Sequence, residues 1–119
     1  MINETNVKQI KFEIKVAIIN ATNRSNDVLH ISKLANEHLK FHFKSGNISN
    51  LIQIRKCFIQ IEKDPKNIEK LNWYERYKDN NDIETIRINI KDRFSIVRKN
   101  SNIHVVSLIG HPKDYNYYL

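Results

Sequence analysis

The sequence predicts a small α+β domain with helices packed on an antiparallel sheet. Three observations predict it. Residues 84–91, 93–99 and 103–110 read as three successive strands separated by short polar gaps, which makes an antiparallel meander. Upstream, 34–44 and the stretch that follows Ser49 carry apolar residues at helical spacing. Between a polar break at 22–27 and the first of these helices, 28–32 is a brief apolar run that suits one early strand. With 119 residues the chain has the size of one domain, and we expect 1–119 to form it.

Each element has its own signal. Residues 5–20 fit two periods. Ile10, Phe12, Ile14, Val16 and Ile18 alternate like a strand, whereas Val7, Ile10, Ile14, Ala17, Ile18 and Ala21 form a helical stripe. Length and the capping types Thr5 and Asn6 favour helix. Over 34–44, Leu34, Ala35, Leu39 and Phe43 are placed inward, and Gly46 is a natural left-handed stop. Ser49 can cap the next helix, whose broad apolar face runs from Leu51 to Ile61 and ends at Asp64-Pro65. Residues 67–81 are polar with embedded Leu71, Trp73, Tyr74 and Tyr77, and read as a partly ordered connection. In the first late strand Ile86, Ile88 and Ile90 alternate with Arg87, Asn89 and Lys91. Asp92 separates it from the second, where Phe94 and Ile96 are out of phase with Arg93 and Ser95. The third is almost continuously apolar, as in a strand covered on both sides.

The charge points to an anionic partner. Lys and Arg number 20 against 13 Asp and Glu, for a net charge of +7 and a pI near 9.6. Nucleic acid comes before membrane, because no long apolar stretch is present. A composition rich in Asn, Ile and Lys explains the same charge without any partner. Cys57 is the only cysteine, which fits a reducing cytoplasm. The start, Met-Ile-Asn-Glu, leads into mixed charge and not into an apolar leader. Two glycines exclude a glycine-rich phosphate loop.

The candidate chemistry is that of phosphodiester cleavage. A base must take the ribose 2′-OH proton, an acid must protonate the leaving 5′-oxygen, and a cation must hold the phosphate. Histidine suits the first two tasks near neutrality and arginine the third. Arg87, Lys91 and Arg93 share the face opposite the apolar one, where the alternative is a merely solvated surface. His111 follows Gly110 at a strand end, and Lys113 and Tyr115 stand beside it. His38 and His42 share a helix face at i, i+4, but no third metal ligand stands at a telling spacing. His30 and His104 read as sheet histidines. Tyr115, Tyr117 and Tyr118 can stack bases, or can pack the tail onto the core.

The element order and three strings carry a resemblance. They are Arg-Ile-Asn-Ile-Lys-Asp-Arg-Phe-Ser-Ile-Val-Arg over 87–98, Ile-His-Val-Val-Ser-Leu-Ile-Gly-His over 103–111, and Lys113-Asp114-Tyr115. They resemble the RelE/ParE toxin superfamily of small ribonucleases, with its basic strand, its hairpin and its last strand ending near Gly-His. Glu37-His38-Leu39, with His42 and Gly46-Asn47-Ile48-Ser49, is similar to a helix of the RegB-type phage endoribonucleases; His42 and Gly46 stand where that pattern has arginines. The resemblance implies a RelE-like fold and metal-independent cleavage of single-stranded messenger RNA, in some branches on the ribosome. It implies His111, His38, Arg87 and Arg93 as catalytic, and Lys91, Arg98, Lys113 and Tyr115 as RNA contacts. It implies no cofactor or metal, no membrane, and an antitoxin or host protein as partner. The alternatives are a non-catalytic nucleic-acid-binding module and a regulator that binds a host protein.

Overall fold

Of the two periods over 5–20, the helical one prevails. Helix α1 runs Glu4–Thr22 in a computed structural model that describes residues 4–78 and 82–115. Ile10, Ile14, Ala17 and Ala21 are buried along one stripe, while Phe12 and Val16 from the competing pattern face solvent. The helix starts earlier than expected, so Thr5 and Asn6 lie within its first turn and not before it.

After β1 (Leu29–Ile31), Ser32 caps α2 (Lys33–Ser45) by accepting the Ala35 N–H at 2.9 Å. Gly46 ends it at φ 67°, donating its N–H to the His42 carbonyl. The buried stripe is Ala35, Leu39 and His42; Leu34, expected inward, is exposed, and Phe43 is half-buried. Helix α3 (Ile48–Lys63) is capped by Asn47 and not by Ser49, the Asn47 carboxamide accepting the Asn50 N–H at 3.1 Å. It buries Leu51, Ile54, Cys57, Phe58 and Ile61, and Phe58 meets Phe94 of the sheet edge-to-face at 5.0 Å.

The remaining strands are β2 (Tyr74–Arg76), β3 (Ile83–Arg87), β4 (Arg93–Lys99) and β5 (Asn102–Ser107), in the sheet order β1-β5-β4-β3-β2. The expected meander is present as β3-β4-β5. The sheet is nonetheless mixed, because β1 pairs parallel with β5, from which two helices and the other three strands separate it in the chain. All three helices cover one face, where Leu29, Ile86, Phe94, Ile96, Ile103 and Val105 meet the helical stripes in one core. This is an α+β fold, three helices on one face of a five-stranded mixed sheet.

Three further expectations fail. The stretch expected to be a partly ordered connection carries regular structure over its described part, 67–78: a 3-10 turn, Pro65–Lys70, buries Ile68 completely, and β2 then adds an edge strand. Tyr-Glu-Arg carries no alternation, so only its pairing with β3 reveals it; residues 79–81 lie outside the described residues. Strand β3 ends at Arg87 because the Asn89 side chain accepts the N–H groups of Lys91 and Asp92, both at 2.9 Å, and turns the chain. Ile90, expected on the core face, is 88 % exposed at the tip of that turn. The third late strand stops at Ser107, not at 110. There α2 replaces the sheet as hydrogen-bond partner: His38 Nδ1 accepts the Leu108 N–H at 3.0 Å, and His42 Nε2 donates to the Leu108 carbonyl at 2.8 Å. His42→Ala should therefore cost about 1–3 kcal/mol of stability in urea unfolding, the scale of a buried carbonyl left unpaired; an unchanged midpoint would contradict this role.

Candidate active site

Parity along the strands leaves Arg87, Arg93, Thr85 and Glu75 on the face that the helices do not cover. Arg87 and Arg93 are direct cross-strand partners. Both are half-buried, and among the described residues neither is in an ion pair. Arg93 Nη1 donates to the carbonyls of Asn89, Ile90 and Asp92 at 3.0, 3.3 and 3.1 Å. The guanidinium of Arg87 stacks 5.3 Å over the Trp73 ring. Burial lowers the Arg93 pKa, the Arg87 charge lowers it further, and Glu75 and Asp92 oppose the shift. Like charges directly opposite each other destabilise a sheet. A bound anion relieves that repulsion.

Glu75 is the residue that the sequence did not single out. It stands on β2 opposite Thr85, whose hydroxyl donates to the Glu75 carbonyl at 3.2 Å, and its carboxylate acts electrostatically on Arg93. Only the pairing of β2, itself unpredicted, brings it to this face.

His111 reaches the same face through Tyr77. That ring packs on Ile83, Val97 and Val106 on the uncovered side, and the His111 ring meets it edge-on at 5.4 Å. The backbone before His111 is fixed twice: the Gly110 carbonyl accepts the Arg93 N–H at 3.0 Å, and the Asp92 carboxylate accepts the Gly110 N–H at 2.9 Å. Gly110 is at φ 78°, and a Cβ there would lie 3.1 Å from the Asp114 carboxylate, so glycine is required. His111 caps the 3-10 turn Pro112–Asp114: its Nδ1 accepts the Lys113 N–H at 3.3 Å, and its own N–H donates to Asp114 at 3.0 Å. Nδ1 is thus engaged, and Nε2 is the atom left to exchange a proton with a ligand.

The other expected residues lie elsewhere. His38, with Nδ1 on Leu108, and His42 serve the backbone on the helix side, so the residues that carried the RegB likeness hold the end of β5. Arg98 is on the helix side too, with Nε 2.8 Å from Glu84 and Nη1 2.7 Å from the Pro65 carbonyl. Tyr115 packs the tail inward: its hydroxyl donates to the Ile109 carbonyl at 2.7 Å and its ring tilts against His38. Lys91 is exposed in the β3–β4 turn and Lys113 is exposed beside His111. Tyr117 and Tyr118 lie outside the described residues. His30 and His104 stack at 4.9 Å on β1 and β5. Among the described residues no group of three or more His, Cys, Asp or Glu is placed to hold a metal ion, and no helix is long and apolar enough to cross a membrane.

The fold is similar to that of a chain in the YoeB-YefM complex from Staphylococcus aureus. The superposition has a TM-score of 0.55 and covers 70% of this chain and 94% of that one, at 21% identity. The likeness is one of fold, and it is the RelE/YoeB arrangement. No family model and no curated protein matches the chain.

The two buried-edge histidines give a pH prediction. Burial lowers the pKa of His38, with His42 adding repulsion while Asp92 and Glu37 oppose it. Burial also lowers that of His104, with His30 and Lys99 adding to it. The unfolded chain, with a histidine pKa of about 6.5, then binds more protons than the native one. Stability from both groups is present above that value and is lost as pH falls through it. The urea midpoint should fall between pH 7 and pH 5, and His38→Gln, whose side-chain oxygen can still accept the Leu108 N–H, should flatten the slope. An equal slope in the variant would remove His38 from the account.

Proposed function

We propose that the protein is a RelE-type toxin that cleaves single-stranded RNA without a metal. One observation carries the reading: two half-buried arginines face each other in register on the uncovered sheet face, with Glu75 and His111 on that same face. Arg87 and Arg93 hold the scissile phosphate and take up the charge that develops on it. Glu75 accepts the 2′-OH proton. The 2′-oxygen bonds to phosphorus as the bond to the 5′-oxygen breaks, and His111 supplies the proton for that oxygen through Nε2. The products are a 2′,3′-cyclic phosphate and a 5′-hydroxyl. Lys91 and Lys113, both exposed, draw the strand in. The superposition with a chain of a two-protein complex supports an antitoxin-like protein partner, and the buried free thiol of Cys57 suits a reducing cytoplasm.

The test is an end-labelled RNA offered alone and annealed to its complement. Shortened products from the single strand only are expected. Intact RNA retained with a steep salt dependence would instead assign a binding module.

A further inference from the structure

The chain contains one tryptophan, a type that is usually well covered in folded proteins. Trp73, just before β2, is 64 % exposed. Its φ of 69° lies in the left-handed region, where a bulky side chain is strained. Burial of the indole does not offset that strain. Arg87 is what holds the residue in place: the Trp73 carbonyl accepts the Arg87 N–H at 3.2 Å, and the Arg87 guanidinium lies 5.3 Å over the indole. A cleft of ≈ 220 Å³ opens beside the ring, lined by Gln53, Lys56, Lys70, Leu71 and Asn72. The Gln53 carboxamide donates to the Arg87 carbonyl at 3.0 Å and ties the cleft wall to β3. An aromatic plate therefore stands between two cationic places, Arg87 with Arg93 on one side and Lys56 with Lys70 on the other.

We infer that Trp73 is a base-stacking platform for single-stranded RNA. It takes the base next to the phosphate held by Arg87 and Arg93, and the strand continues toward Lys56 and Lys70. A single strand alternates anionic phosphates with flat rings, and the order cation, aromatic, cation matches it. Stacking tolerates any base, so Trp73 sets the position of the strand and leaves its sequence open. The inference rests on the proposed function for the phosphate site.

The lone tryptophan reports directly. Its fluorescence is followed while a short 2′-O-methyl oligoribonucleotide, which cannot be cleaved, is added, and inorganic polyphosphate serves as a probe without bases. The oligonucleotide should quench the emission, and polyphosphate should compete for the site with little quenching of its own. The variants carry no tryptophan, so their affinities are read from the anisotropy of an end-labelled copy of the oligonucleotide: Trp73→Ala should weaken its binding about tenfold, the scale of one lost stacking contact. Trp73→Phe should keep most of the affinity, and neither variant should alter polyphosphate binding. Binding that needs Arg87 and Arg93 but leaves both the emission and the Trp73→Ala affinity unchanged overturns the platform and spares the proposed function. Binding that needs neither arginine removes both readings.

Discussion

Arg93→Ala should slow RNA cleavage by roughly a hundred- to a thousand-fold, the usual scale for removing one preorganised group that stabilises transition-state charge. Arg93 is placed in advance: its Nη1 is held by three carbonyls of the β3–β4 turn, and its backbone N–H by Gly110. Little reorganisation is left for the moment of reaction. The same contacts mean that alanine also loosens the turn, so Arg93→Lys is the companion variant. Lysine keeps the charge but loses the planar fork, and should recover only part of the rate. In Arg93→Ala, but not in Arg93→Lys, the slope of log affinity against log salt should fall by about 0.7 for a single-strand phosphate contact. Unchanged cleavage by Arg93→Ala would place the phosphate elsewhere.

His111→Ala should slow cleavage by roughly a hundred-fold or more while RNA affinity changes little, since general acid–base help is lost and the arginines remain. His111 has a second task, however, as the cap of the Pro112–Asp114 turn. Asparagine separates the two. Its side-chain oxygen can still accept the Lys113 N–H, yet it transfers no proton near neutrality. His111→Asn should therefore be as slow as His111→Ala. A fast asparagine variant would reduce His111 to a capping residue.

The sequence showed most of the architecture because its signals were local. The isoleucine alternation, the Gly46 stop and the Asp64-Pro65 break each act within a few residues. What it hid depended on pairing partners distant in sequence. Strand β2 shows no alternation and exists through its register with β3, so Glu75 could not be assigned a face. Arg87 and Arg93 were legible as one basic face, because strand parity alone places them. Arg98 was not. Parity puts it on the helix side, but its pairing there depends on Glu84 and the Pro65 carbonyl, 14 and 33 positions away in sequence. His38 and His42 were read as a helix pair with chemistry to offer. Their spacing in fact matches the N–H and carbonyl of Leu108, about seventy positions downstream, and α2 completes the backbone bonding where β5 ends. Tyr115 followed the other of its two readings, packing the tail back onto the fold through the Ile109 carbonyl and the His38 ring.

The most direct measurement is of product ends. Purified protein is incubated with a single-stranded RNA in excess EDTA, and the termini are identified by mass spectrometry. The arrangement of Glu75, Arg87, Arg93 and His111 predicts cleavage with 2′,3′-cyclic phosphate and 5′-hydroxyl ends. Cleavage that appears only when a divalent ion is restored, leaving 3′-hydroxyl and 5′-phosphate ends, would contradict it.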